Sequence, residues 1–168
     1  MLTICVRKED RALIRDFMPP CLDIYIATGE RTLTCIHRFL SAYADLTEDA
    51  VRDDFEVRPT GSPEGFVCGT LATTLAYGLA QADRAFTLYF HGQPPNYQPM
   101  LYFSPHGRLL LGLSVEAFTP EGASNDTEAE HLLHLLKAEF NTEYGLIAFE
   151  LPPEEADEEF APHLFQVN

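Results

Sequence analysis

The stretch MLYFSPHGRLLLGLSVE, residues Met100–Glu116, decides the fold, because it has the pattern of a complete β-hairpin. The apolar runs on both sides have the length and composition of strands, and Pro105–Gly107 between them is a tight turn. So short a connection joins antiparallel neighbours, which predicts an antiparallel sheet. Just upstream, Ala85–His91 (AFTLYFH) alternates its side chains and predicts a third strand of the same meander.

The rest of the chain supplies further strands and apolar side chains at helical intervals. Outside the meander, strands are predicted at Met1–Arg7, Leu22–Ala27 and Tyr144–Leu151, and one or two helical turns at Arg11–Phe17. Helices are predicted at Arg31–Leu46, Thr47–Arg58 and Glu64–Ala80. A further helix is predicted to begin after an N-cap at Asn125, where Glu128 would complete a capping box. This order predicts one α+β domain over residues 1–168, with a mostly antiparallel sheet and helices packed on one face.

Charge is the unusual quantity of this chain. It has 26 acidic and 11 basic residues, a formal net charge of −15, and residues 85–168 hold only two of the bases, Arg108 and Lys137. Phosphate contacts need clustered Lys and Arg, so neither direct nucleic-acid binding nor an anionic membrane partner is expected. A basic protein partner does fit, because opposite fields accelerate encounter.

Two acidic clusters form the predicted partner-binding surface. The sequence LPPEEADEEF opens an acidic C-terminal segment, residues 152–168, which we expect to project as a short arm or helical turn after the two prolines end the last strand. The alternative is a solvated tail that only keeps the protein in solution. The residues of the predicted surface are Glu154, Glu155, Asp157, Glu158 and Glu159 in this segment, and Asp53, Asp54 and Glu56 in the first half.

The apolar runs and cysteines favour a cytoplasmic protein. The first 20 residues carry charges throughout, unlike a signal peptide, and no run approaches the roughly 20 apolar residues of a membrane helix. None of the four cysteines forms a C-x-x-C pair. We therefore expect reduced thiols in apolar surroundings.

Catalytic and metal-binding patterns are weak. Cys68 near the start of the predicted helix Glu64–Ala80, with His106 downstream, has the order of a cysteine-dependent hydrolase, but Cys68 also lies on the apolar stripe of that helix, where we expect a core cysteine. His131 and His134 form H-x-x-H on a helix face opposite its leucines, and no third ligand stands at a telling distance. We therefore assign no catalytic residue, no metal site and no cofactor.

A family resemblance covers residues 85–155. GRLLLGLSVE, then NDTEAEHLLHLLKAEFN, then YGLIAFELPP resembles immunity proteins of bacterial polymorphic-toxin and type VI secretion systems, and is most similar to the small α+β members paired with nuclease toxins of the restriction-endonuclease type. The resemblance implies a cytoplasmic protein that binds one cognate toxin and blocks its active site or its assembly. These families share no catalytic residues, so none is transferred to this chain.

The sequence therefore predicts an immunity protein that neutralises a toxin, a nuclease with a basic active-site cleft, by direct binding. Two alternatives stay open. One is a hydrolase that uses Cys68 and His106, and the other is an acidic adaptor or chaperone for a secreted protein.

Overall fold

The structure is a computed structural model that describes residues 20–93 and 97–164. The predicted strand at Met1–Arg7 and the helical turns at Arg11–Phe17 lie outside these residues. The strands are β1 (Cys21–Thr28), β2 (Phe55–Val57), β3 (Phe66–Gly69), β4 (Phe86–Tyr89), β5 (Gln98–Phe103), β6 (Leu109–Glu116) and β7 (Gly145–Phe149), and the helices are α1 (Leu33–Tyr43), α2 (Leu71–Ala80), α3 (Asp126–Glu139) and α4 (Pro153–Leu164).

Five strands form one antiparallel sheet in the order β4-β5-β6-β1-β7. The predicted hairpin is its centre: β5 and β6 pair directly, and the turn between them contains Gly107 at a φ of 78°. Every residue of β6 except Glu116 is buried. β2 and β3 form a separate two-stranded sheet. The α+β class and the mostly antiparallel sheet are thereby confirmed.

Helices α1, α2 and α3 cover the first face of the sheet. Alternate β1 residues, Leu22, Ile24 and Ile26, belong to one core cluster with Phe39 of α1 and Leu136 of α3. Because side chains alternate between the faces of a strand, these three residues lie on the same face, which is apolar from Leu22 to Ile26. These three helices lie on one face, as the sequence predicts.

Helix α4 lies on the second face of the sheet, where a projecting acidic arm was expected. Ala156 and Phe160, four residues apart, form an apolar stripe that packs against a second core cluster containing Tyr25 and Leu110. Pro153 is the first residue of the helix, a position that suits its fixed φ. The five acids therefore belong to a docked helix, and the stripe between them is what docks it.

Two predicted helices have other structures. Residues of the predicted helix Glu64–Ala80 form strand β3 first, and α2 starts only after the N-cap Thr70, whose hydroxyl accepts from the Thr73 backbone. Gly69, at a φ of 111°, makes the change of direction between strand and helix. The predicted helix Thr47–Arg58 is a turn followed by β2.

The N-cap of α3 lies at Asn125 as predicted, but its side chain works differently from a capping box. The Asn125 amide donates to the Glu116 carbonyl at 2.8 Å, and the Ser124 hydroxyl accepts from the first helical N–H. Glu128 accepts from the Tyr97 hydroxyl at 2.6 Å. These polar side chains therefore tie the helix to β6 and to the loop before β5.

The Arg31 guanidinium joins the C-terminal end of α2 to the central hairpin turn. It lies 5.4 Å from the ring centroid of Phe103, a cation–π contact. Its two terminal nitrogens donate to four backbone carbonyls, those of Ser104 (3.0 Å), Arg108 (3.1 Å), Gly78 (2.6 Å) and Gln81 (3.0 Å). The carbonyls of Ser104, Arg108 and Gln81 also accept a backbone N–H, so Arg31 adds a second hydrogen bond to acceptors that helix and turn already use.

Candidate functional site

Helix α4 covers only part of the second face, and the remainder is the floor of an open groove. The groove has a volume of about 490 Å³ and crosses four strands, from Asp23 of β1 over Ser114 of β6 and Gln98 of β5 to Thr87 of β4. One wall is the loop that follows β2, and the other is the segment that links β7 to α4. We call this feature the sheet groove.

Tyr25 fixes the wall that precedes α4. Its ring lies over Gly112, where an added Cβ would come within 2.8 Å of the ring carbons, so only glycine leaves room for it. The Tyr25 hydroxyl donates to the Leu151 carbonyl at 2.7 Å. Burial raises the pKa of Tyr25 well above its usual range, which keeps the hydroxyl protonated as a donor. The wall is therefore held from the floor of the sheet.

Asp23 is a partly buried carboxylate in the floor of the sheet groove. Burial raises the pKa of the Asp23 carboxyl, and hydrogen bonds from the Ser114 hydroxyl and the Leu151 N–H lower it in part. Glu150 adds a repulsion that raises this pKa further. Among the described residues, Asp23 takes part in no ion pair with Lys or Arg.

The walls add further negative charge to the groove. Glu56, Glu150 and Glu154 line it with Asp23, against one base, Arg58, whose Nη2 lies 2.9 Å from Glu56 Oε1. Glu150 has a φ of 48°, unusual for a residue with a side chain, and its N–H donates to the Cys21 carbonyl. A concave surface with an excess of negative charge focuses its field outwards, so the groove favours a cationic group.

The groove brings together one member of each predicted acidic cluster, Glu56 and Glu154. The other acids are distributed more widely. Glu155, Glu158 and Glu159 are exposed on the outer side of α4, and Asp53 is exposed in the first half. Asp54 is exposed too, with its Oδ1 2.9 Å from Arg52 Nε.

The prediction that Asp157 is part of the partner-binding surface is wrong. Asp157 is only 3% exposed, and it accepts from the Ser104 hydroxyl at 2.6 Å and from Arg108 Nε at 2.8 Å. It follows Ala156 on the side of α4 that faces the sheet, so packing removes it from solvent. The signal in the sequence was the spacing of Ala156 and Phe160 in the acidic run.

Sequence analysis also missed Asp23 and Glu150 as groove residues. Asp23 interrupts the apolar run LDIYIA, and that interruption marks a polar position on the second face. Glu150 gave no such signal, because its place depends on the pairing of β1 with β7.

Cys68 and His106 are placed at different ends of α2. Cys68 belongs to β3, just before the N-terminus of the helix, and it packs against the first core cluster. His106 lies in the β5–β6 turn, which Arg31 joins to the C-terminal end of α2. A helix of ten residues is roughly 15 Å long, too far for a nucleophile and its base.

We expect Cys68→Ala to leave partner binding intact and to lower the free energy of unfolding by about 1 kcal/mol, because a half-buried thiol is lost from the edge of the core. Urea denaturation measures the loss, and Cys35→Ala, at a site 1% exposed, is the control expected to cost more. Loss of biological activity in a stably folded Cys68→Ser variant would instead support catalysis.

His131 and His134 are exposed on α3, as predicted. Within residues 20–93 and 97–164, no group of three or more His, Cys, Asp and Glu side chains is arranged to hold a metal ion. The helices in those same two ranges include none that is both long and apolar enough to cross a membrane.

Comparisons with models of known protein families, with curated proteins and with solved structures find no match. The resemblance to immunity proteins therefore stays a prediction. The sheet groove has to be interpreted from its own chemistry.

Proposed function

We propose that this chain is an immunity protein that neutralises a cognate bacterial toxin, a nuclease effector, by binding it and occluding its basic active-site cleft. The sheet groove supports this most directly, because among the described residues four carboxylates from three separate parts of the chain line it with a single base. A nuclease cleft is built to hold phosphate, and clustered carboxylates compete with phosphate for the same cations.

The form of α4 suits this role. Glu155, Glu158 and Glu159 are carried on a helix docked to the sheet, next to Glu154 at the groove. A docked helix loses less conformational freedom on binding than a projecting arm would, which favours affinity. The net charge of −15 adds long-range steering of a basic partner.

The test is inhibition of a toxin. The gene immediately upstream is read first; a C-terminal toxin domain encoded there is expressed in bacteria with and without this protein, and its nuclease activity is measured with both proteins purified. We expect growth to be restored, nuclease activity to be lost at equimolar protein and a stable complex to elute on size exclusion. Full nuclease activity in the presence of excess protein would contradict the proposal. Binding of a secreted protein outside its toxin domain, without inhibition, would favour the adaptor alternative.

The exposed acids of α4 make a kinetic prediction. Replacing Glu154, Glu155, Glu158 and Glu159 by Gln, with Asp157 retained, is expected to slow association with the toxin about tenfold at low salt and to change dissociation less, because rim charges act mainly on encounter. Raising the salt concentration should slow the unmodified protein towards the variant. Surface plasmon resonance at two salt concentrations measures both effects.

A matched variant separates local charge from total charge. Glu48, Asp83, Glu121 and Glu130 are exposed elsewhere, and their conversion to the corresponding amides removes the same formal charge. If both variants associate equally fast, the docking surface lies away from α4 and only the total field matters.

A further inference from the structure

We propose that the sheet groove is a receptor site for an arginine side chain, presented by an extended basic segment of the partner protein. This inference deepens the proposed function and rests on it for the identity of the partner. The site itself is argued from the geometry and charge of the groove alone.

The floor supplies the first reason. Asp23 lines the groove beside Ser114 and Leu151, and hydrogen bonds from the Ser114 hydroxyl and the Leu151 N–H lower the pKa of its carboxyl in part, which favours the charged form. Ser114 is only 8% exposed, whereas Asp23 beside it is partly exposed. A partly buried carboxylate that forms no ion pair with Lys or Arg of the described residues gains from an external cation, since water screens it less than it screens a fully exposed carboxylate.

The shape supplies the second reason. The groove volume of about 490 Å³ is in the range of small-ligand sites, so it accommodates a long side chain together with part of its backbone. The groove is open because α4 covers only the half of the sheet face near Tyr102 and Leu110. The uncovered part of the sheet face carries polar residues in the floor of the groove, so it suits binding of a ligand better than packing against another element of the chain.

The walls favour arginine over lysine. Glu150 and Glu154 come from one wall and Asp23 from the floor, whereas Glu56 on the other wall is paired with Arg58, so carboxylates approach a ligand from two directions. A guanidinium has five donors in a planar fork and meets such a set better than a point-like ammonium. Tyr89, which is partly exposed, also lines the groove.

The experiment uses the complete chain and three short peptides as probes: acetyl-Gly-Arg-Gly-amide, the same peptide with citrulline, and the same peptide with lysine. Citrulline keeps the shape of arginine without its charge. Binding is followed by amide chemical shifts of the isotope-labelled protein. We expect the arginine peptide to shift the amides of Asp23, Ser114 and Leu151 saturably, with citrulline at least about tenfold weaker and lysine intermediate.

Two variants locate the site. Asp23→Asn is expected to weaken the arginine peptide about tenfold, whereas Glu158→Gln, which removes one charge from the outer side of α4, should leave its affinity unchanged. The inference is overturned if citrulline or lysine binds as tightly as arginine, or if the two variants bind the peptide alike.

Folding provides a check on Asp23→Asn. Because the folded protein raises the pKa of Asp23, its charged form is less favourable in the folded chain than in the unfolded one. The Asn variant is therefore expected to melt at an equal or higher temperature than the unmodified protein at neutral pH. The gain should fade as the pH falls through the raised pKa, where Asp23 becomes neutral by itself. A lower melting temperature at neutral pH would contradict this account of Asp23.

Inhibition of the toxin distinguishes this inference from the proposed function. If Asp23→Asn loses the peptide but still neutralises the toxin fully, the immunity function stands and the groove is not its docking site. If the peptide binds with arginine selectivity while no toxin is inhibited, the groove is a receptor for a different basic partner and the immunity proposal fails.

Discussion

Arg31→Met is expected to lower the free energy of unfolding by about 3 kcal/mol, because hydrogen bonds to a charged group each contribute about 1.5–3 kcal/mol and several are lost together. Methionine keeps much of the apolar stem but donates nothing, so carbonyls at the end of α2 and in the β5–β6 turn lose their common donor. Urea denaturation followed by far-ultraviolet circular dichroism measures the loss. The turn belongs to the central hairpin, so the effect should be global.

Two further variants make this result specific. Arg84→Met changes an exposed arginine just beyond α2 and should stay within about 0.5 kcal/mol of the unmodified protein. Arg31→Lys keeps the charge but not the planar fork, so it should recover less than half of the stability lost. If Arg31→Met is as stable as Arg84→Met, the four hydrogen bonds do not join helix and turn in solution.

Asp157→Ala is expected to lower the free energy of unfolding by about 3 kcal/mol, because it leaves a buried guanidinium without its partner. Arg108 Nη2 lies 2.7 Å from Asp157 Oδ1, and the two side chains are 12% and 4% exposed. The same carboxylate accepts from Ser104, so the variant also removes the link between α4 and the hairpin turn. Thermal and urea denaturation both measure the change.

The neighbouring acid is a matched control. Glu158→Ala removes the same charge one residue further on, from an exposed site, and should leave stability equal or slightly higher because it relieves repulsion in a chain of net charge −15. Combining Asp157→Leu with Arg108→Met should recover part of the loss, since neither charge is then buried alone. If Asp157→Ala and Glu158→Ala change the free energy of unfolding equally little, the Asp157 side chain is exposed to solvent and is not buried against Arg108.

The parts of the fold that were predictable are those specified by local signals. The β5–β6 hairpin is predictable because Pro105–Gly107 and its apolar flanks lie within one short stretch. Strand β3 was missed because Phe66–Gly69 continues the apolar pattern of α2, so periodicity alone could not find the boundary at Thr70. The docked helix α4 was missed because five acidic residues dominate the local hydropathy. The two apolar residues among them, Ala156 and Phe160, are nevertheless the ones that pack it against the sheet.

The candidate site was only half predictable for a different reason. Glu56 and Glu154 stand in acidic clusters that are visible in the sequence. Asp23 meets Ser114 and Ala148 only because β1 lies between β6 and β7. Such pairings join residues some 90 to 125 positions apart, and no local pattern specifies them. The groove exists as a consequence of strand order.

The position of β1 also has a consequence for biosynthesis. β1 is the first described strand, yet its neighbours β6 and β7 end at Glu116 and Phe149. A chain growing on the ribosome therefore carries an apolar strand with both edges open until most of it has been made. Contacts so distant along the chain slow folding. Nascent chains are expected to need shielding from aggregation, and pulse-chase proteolysis should find β1 protected only after β7 has emerged.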